Sequence, residues 1–299
     1  MPHAASPRTN ARRLGLLGLL SMLLTTGCER AVLGFVNRGV PPPEASIVYA
    51  ADRGLSLDVY RPTVAQAGGA PVVVFFYGGS WQRGSRTQYR FVGQRLAENG
   101  ILAIVADYRT WPQAGFPDFI DDAARAVHWS FDNARAWGGD PARVFIAGHS
   151  AGAQLAALVA IDGRYLGKYG LEPKRLAGAI GLSGPYDFAI TGDLVPVFGT
   201  PAQWPQAQAV NFVDGDEPPF LLMHGSKDGV VETRDSVQLA GLLRAKNVGT
   251  RLVLLPEGGH STPLGGLYDP QRAPEVLPAI LDFIATTPRV RIPAAATGR

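Results

Sequence analysis

The 299-residue chain has one cysteine, a single long apolar run and no excess of either charge once its first 27 residues are set aside. Each scarcity excludes something. A lone thiol, Cys28, forms no internal disulfide, so no disulfide framework holds the fold. The apolar run, Leu14 to Leu24, covers 11 residues, too few to span a bilayer as a helix, which excludes a polytopic membrane protein. Lys and Arg number 28 against 25 Asp and Glu, but Arg8, Arg12 and Arg13 lie in residues 1–27, where there is no acid; without those three the balance is 25 against 25. A folded part with no net field does not attract polyanions, so nucleic acid is not an expected partner. No H-E-x-x-H or comparable ligand spacing, phosphate loop or dinucleotide fingerprint is present, and neither a metal nor a cofactor is expected.

What is present begins with a leader. The basic start, the apolar stretch and the small-residue end Thr25-Thr26-Gly27 have the three-part form of a secretory signal over 1–27. Thr25-Thr26-Gly27-Cys28 resembles the bacterial lipobox, with Thr25 at the place of the usual Leu, and implies cleavage before a lipid-modified Cys28. The alternatives are a conventional cut nearby or an uncleaved anchor. Lipidation caps a thiol that an oxidising compartment would otherwise attack. The expectation is an exported lipoprotein, anchored at a membrane and facing the periplasm or cell exterior. It touches the membrane only through that lipidated N-terminus. Arg12-Arg13 is a poor match to a twin-arginine signal. Residues 28–45 carry Pro41-Pro42-Pro43 and read as an extended tether. The folded domain is expected over 46–287, followed by a tail over 288–299.

Inside those limits short apolar runs alternate with segments of helical spacing, which predicts an α/β fold with a mostly parallel sheet covered by helices on both faces. Ser46 to Ala51 and Leu55 to Arg61 form an opening hairpin about Asp52-Arg53-Gly54. Six nearly continuous apolar runs follow, as buried parallel strands require: Pro71 to Tyr77, Ile101 to Tyr108, Val144 to His149, Leu176 to Ser183, Pro219 to His224 and Thr250 to Pro256. Helices are expected over Thr87 to Asn99, Phe116 to Ala136, Ala151 to Asp162, Thr233 to Lys246 and Pro274 to Ala285. Residues 184–218, rich in Pro, Gly and aromatics, lack a helical period and read as a lid-like insertion.

Gly148-His149-Ser150-Ala151-Gly152 stands between a strand and an Ala-rich helix, the setting in which G-x-S-x-G lifts a serine hydroxyl above a sheet on a strained turn. A serine hydroxyl needs a base to take its proton and an acid to orient that base. His260, in the loop after the last strand, is the candidate base. His128 lies mid-helix, His149 is turned away by the bend, and His224 ends a strand, so these three read as structural. Chain order places the acid between Ser150 and His260. Asp228, at the carboxyl end of a strand, is favoured over Glu232, Asp187 and Asp193. Oxyanion donors are expected from the amide of Ala151 and from the Gly78-Gly79 turn after Pro71 to Phe76.

Gly78-Gly79-Ser80-Trp81 resembles the H-G-G-x-W motif of the carboxylesterase branch of the alpha/beta-hydrolase superfamily, the branch of hormone-sensitive-lipase-like, feruloyl-esterase-like and kynurenine-formamidase-like enzymes. Asp107-Tyr108-Arg109 resembles its D-Y-R segment, and Gly139-Asp140-Pro141-Ala142-Arg143 its G-D-P-x-R approach to the serine. The resemblance runs from Ser46 to Thr287. It implies an eight-stranded, mostly parallel sheet, a cofactor-free acyl-serine mechanism and an oxyanion hole at Gly78, Gly79 and Ala151. Tyr77 stands where that motif has its usual His. The expected activity is hydrolysis of small carboxylic esters. The alternatives are an amidase or peptidase on the same triad and a lipid-anchored binding protein without activity. Trp81 and Tyr186, among a set that includes Trp111, Phe116, Phe198 and Trp204, are the candidate substrate contacts. No feature of the sequence sets an oligomeric state.

Overall fold

A computed structural model describes residues 33–64 and 66–291. The expected signal peptide and Cys28 lie outside them. The chain divides into two units at Val40 and Pro41. Of the first, residues 33–36 form a helical turn, closed by Asn37 Nδ2 donating to the carbonyl of Leu33 at 2.8 Å.

The second unit is built on one eight-stranded sheet. Its strands are β1 (Ala45–Ala50), β2 (Leu55–Tyr60), β3 (Ala70–Phe76), β4 (Leu102–Ala106), β5 (Gly139–His149), β6 (Gly178–Leu182), β7 (Phe220–Gly225) and β8 (Thr250–Leu255). Their order across the sheet is β1-β2-β4-β3-β5-β6-β7-β8. β1 pairs antiparallel with β2 and β2 antiparallel with β4, and every later pairing is parallel. The composition explains the choice. Every residue of β3, Ala-Pro-Val-Val-Val-Phe-Phe, and of β4, Leu-Ala-Ile-Val-Ala, is buried, so both faces of the sheet centre are covered. Each such Val, Leu, Ile or Phe contributes roughly 1.5–3 kcal/mol by leaving water.

The longer helices are α1 (Arg90–Glu98), α2 (Asp118–Asn133), α3 (Ala151–Ile161), α4 (Gly163–Gly167), α5 (Val195–Phe198), α6 (Thr233–Ala245), α7 (Thr262–Tyr268) and α8 (Val276–Thr286). α2, α3 and α4 pack on one another, while α7 bridges α1 and α8. α3 is buried along its whole length and is apolar on nearly every side, so the turn at its start rests on a fixed base.

Several boundaries differ from expectation. β5 starts at Gly139 rather than Val144, because Gly139 pairs with Ala70 before a register shift brings Val144 opposite Val72. The span expected for the tether, 28–45, runs into the sheet: Glu44 already donates its N–H to Val59, and Ala45 opens β1. Residues past 287 stay bound, with Val290 donating to Ala142 and Arg289 paired with Asp140 at 2.7 Å. The stretch 184–218 holds short 3-10 turns and α5, broken up by prolines. It is anchored rather than draped: Phe116 donates to Val197, Gln208 bonds Phe188 on both its amide atoms, and Asp235 of α6 accepts from Tyr186. No helix among the described residues is long and apolar enough to cross a membrane.

Candidate active site

Because β3 to β8 are parallel, the loops leaving β3, β5, β7 and β8 all emerge at one edge of the sheet. Those loops carry Gly78 and Gly79, Ser150, Asp228 and His260 in turn. The topology alone therefore delivers residues far apart in sequence to one rim.

Ser150 has φ 54° and ψ −124°, a conformation that costs a non-glycine residue roughly 1–3 kcal/mol and persists only where the surroundings impose it. They do so here. Its N–H is held by the carbonyl of Leu182 on β6 at 2.9 Å, and its own carbonyl caps α3 by accepting from Ala153 and Gln154. Gly152 lies so close under β3 that a Cβ there would stand 2.1 Å from the Phe76 carbonyl oxygen. A Cβ on Gly78 would be 3.0 Å from Ser150 Cβ, which places the Gly78-Gly79 turn directly beside the serine. Gly79 has φ 130°, outside the range of L side chains, and Ser80 and Trp81 follow at φ 53° and 58°. Among the described residues no acceptor takes the N–H of Gly78, Gly79 or Ala151.

His260 and Asp228 meet. The imidazole Nδ1 donates to Asp228 Oδ2 at 2.8 Å, and the carboxylate, fully withdrawn from solvent, accepts on Oδ1 from the backbone N–H of Val230 at 2.8 Å and Val231 at 2.9 Å. Burial alone would raise the Asp228 carboxyl, but the donors from Val231, His260 and Val230 outweigh it and hold it below the usual range, so it is ionised. In a neutral ring, a proton on Nδ1 leaves the lone pair on Nε2.

Two histidines expected to be structural touch this pair, and the expectation that His149 is turned away needs correction. His149 is not turned away from it. Its ring lies on that of His260, with 4.9 Å between centroids, and its Nε2–H donates to the His260 carbonyl at 3.1 Å. The bond ties the His260 loop to the end of β5, one residue before Ser150. Burial, with the neighbouring His260, holds it down to about 3, so it is neutral. His224, at the end of β7, places Nε2 3.1 Å from Asp228 Oδ2. The signal for both was their position: each ends a strand on the rim where the loops converge.

Trp81 and Tyr186 have other work than the substrate contact expected of them. Tyr186 is wholly buried, with its hydroxyl against Gly181 and Gly184. Trp81 is 3% exposed, stacks on Phe188 at 5.2 Å and meets Phe198 edge-on at 4.8 Å. Its Nε1–H donates to Gln154 Oε1 of α3 at 3.1 Å, and Gln154 Nε2 donates to the Ala207 carbonyl at 2.8 Å. One side chain so joins the glycine turn, the serine helix and the insertion. Phe198 is likewise buried. Tyr77, in the place of the motif's His, lies between Tyr89 and Tyr108, and its hydroxyl is 3.1 Å from Asp107 Oδ1 while Tyr108 donates to the Tyr77 carbonyl at 3.0 Å. The glycine turn is thus held from below by tyrosines.

Known proteins resemble this chain across most of its length. A protein of Arabidopsis thaliana named as a probable isoprenylcysteine alpha-carbonyl methylesterase is 27% identical over 85% of the chain, and Esterase LipC of Mycobacterium tuberculosis is 32% identical over 72% of it. The chain spans 59% and 58% of those relatives' own lengths. Among solved structures, Thermogutta terrifontis esterase 2 superposes with a TM-score of 0.71 at 24% identity, over 82% of this chain and 95% of that one. An acetyl ester-xyloside bifunctional hydrolase from Caldicellulosiruptor lactoaceticus gives 0.70 at 23%, over 83% and 97%. These likenesses show the alpha/beta-hydrolase fold. The BD-FAE family model matches residues 57–243, more than half of the chain and all of the strands from β2 to β7 except the first two residues of β2. The chain belongs to the BD-FAE family.

Proposed function

We propose that the protein hydrolyses small carboxylic esters through an acyl-serine intermediate, with Ser150 as nucleophile, His260 as base and Asp228 as its orienting acid. The observation that carries the reading is the Nδ1–H bond of His260 to a buried, ionised Asp228 at 2.8 Å, on the rim where Ser150 sits at φ 54°. That bond fixes the tautomer whose Nε2 takes the Ser150 proton as Oγ attacks the carbonyl carbon. The oxyanion formed is met by the free N–H groups of Gly78, Gly79 and Ala151, each donor of this kind being worth about 3–4 kcal/mol. His260 passes its proton to the departing alcohol, then takes one from the water that attacks the acyl-enzyme, and returns it to Ser150. Ester hydrolysis is also what the names of the relatives describe for those proteins.

The test is turnover of p-nitrophenyl acetate with labelling by a fluorophosphonate. Ser150→Ala is expected to lose both, with turnover down by about 10⁴-fold or more and the fold intact by circular dichroism. Turnover retained by that variant overturns the assignment. The same proposal extends to location: export, cleavage before Cys28 and lipid attachment there, supported by the leader's basic, apolar and small-residue order and by the single cysteine. Cells fed an alkyne-tagged fatty acid should label the wild type and not Cys28→Ala, which should leave the membrane fraction; an unlabelled wild type refutes it.

A further inference from the structure

The acid of the triad has a fourth polar neighbour that its catalytic role does not explain. Asp228 Oδ1 is filled by the N–H groups of Val230 and Val231, and Oδ2 takes His260 Nδ1. His224 Nε2 reaches the same Oδ2 at 3.1 Å and the carbonyl of Val231 at 3.2 Å. Both are acceptors, so Nε2 must carry the proton. Nδ1 of the same ring lies 2.7 Å from Ser236 Oγ on α6, and with Nε2 protonated it is the serine hydroxyl that donates. The donors therefore point one way, from Ser236 to His224 and from His224 to the Val231 carbonyl and Asp228 Oδ2. His224, Asp228 and Ser236 are fully enclosed, and burial lowers the affinity of His224 for a second proton, so the ring stays neutral and its tautomer is set by these contacts.

We propose that His224 is a positioning residue for the triad: its Nε2–H, held in that tautomer by Ser236, occupies the second lone pair of Asp228 Oδ2 and fixes the carboxylate plane toward His260. The inference rests on the function proposed above. Three groups now share the carboxylate with His260, and each drains charge from it. With His224 gone, Oδ2 has a single donor; the negative charge concentrates on the bond to His260, and the protonated imidazole is favoured. The carboxylate is also freer to turn about its side chain. Other titratable groups near the pair are His149, whose ring lies on His260, and the exposed Lys227–Glu257 ion pair on the two loops; among the described residues none of them bonds the carboxylate.

The experiment is the pH profile of kcat/KM for p-nitrophenyl acetate in wild type, His224→Phe, His224→Gln and Ser236→Ala, with fluorophosphonate labelling and thermal midpoints alongside. The acid limb reports His260, which must be neutral to act. In His224→Phe it should move up by about half a pH unit or more, with kcat falling about tenfold. His224→Gln, whose amide nitrogen stands as many bonds from Cβ as Nε2, should return the limb to the wild-type position. Ser236→Ala should move it in the direction of His224→Phe by a smaller step, and decides the matter if His224→Phe does not fold. A limb unmoved in the folded, labelled variants overturns the proposal, as does a His224→Gln limb displaced as far as that of His224→Phe. Loss of stability without a displaced limb assigns His224 to packing alone. Failure of the function proposed above is distinguishable, since there the wild type itself would not be labelled at Ser150.

Discussion

At the scale of the residue, the site depends on places where a single added carbon has no room. Gly152 supports the serine turn by lying against β3, where a methyl group would meet the carbonyl oxygens of Phe76 at 2.1 Å and Tyr77 at 2.5 Å. Backbone cannot yield as a side-chain tip can. Gly152→Ala should therefore cost about 3 kcal/mol of stability, read as a lower urea midpoint, and should lower turnover even in the molecules that fold. A midpoint equal to wild type would show that the strand and helix have slack the structure does not display. The turn about Ser150 and the Gly78-Gly79 pair were legible as short local patterns, and Asp228 and His260 as members of loops that follow strands. His149 and His224 were not. Their roles come from pairings across 111 residues for His149 with His260, and from a tautomer set by Ser236 for His224, and no local pattern in the chain announces either.

At the scale of the element, strands were read from composition almost to the residue where they are buried on both faces, and less well where pairing decides the end. β5 gained five residues from its pairing with β3, which apolar content could not reveal, since Gly139 and Asp140 are poor strand formers by themselves. The 184–218 segment was recognised as an exception, but its fastening to Trp81 and Gln154 was hidden by the absence of any period. That fastening is testable. Gln154→Ala leaves Trp81 Nε1–H without its acceptor in a buried place, and should reduce kcat for small esters about tenfold with little change in KM, because the glycine turn loses its register with α3. An unchanged kcat would mean that the turn is held by the tyrosines beneath it alone. The other fastening of the insertion, Asp235, has a sign of its own. Burial pushes its carboxyl up to about 6, with the N–H groups of Tyr186 and Asp187 pulling back only in part. A carboxyl raised above its unfolded value contributes most when protonated. Its contribution is complete below the ordinary 3.8 and is lost as pH rises through about 6. Asp235→Asn keeps an acceptor oxygen and removes the titration, so the difference in thermal midpoint between variant and wild type should grow in the variant's favour from about pH 4 to 7. Parallel curves would contradict it.

For the whole second unit, the eight strands and their covering helices were expected from the alternation of runs, and the parallel sense of the central strands follows from the helices between them. The end of the chain was not. Its last residues lack an apolar period, yet Val290 adds a hydrogen bond to Ala142 and Arg289 neutralises the buried Asp140 at the start of the strand that leads to Ser150. Truncation after Thr287 should lower stability by about 1 kcal/mol, the modest figure reflecting how exposed Arg289 is, and a thermal melt of the shortened chain reads it.

The loops after β7 and β8 are nested. A Cβ on Gly225 would stand 2.3 Å from the carbonyl oxygen of Gly258, Ser226 donates to Leu255, and Lys227 donates to Gly258. Asp228 and His260 are thus borne on two strips of backbone cut to each other's outline, as a key blank is to its lock. Anyone recombining this chain with a relative should treat 225–232 and 256–262 as one transplant: exchanged singly, either would arrive with the wrong contour for the partner left behind.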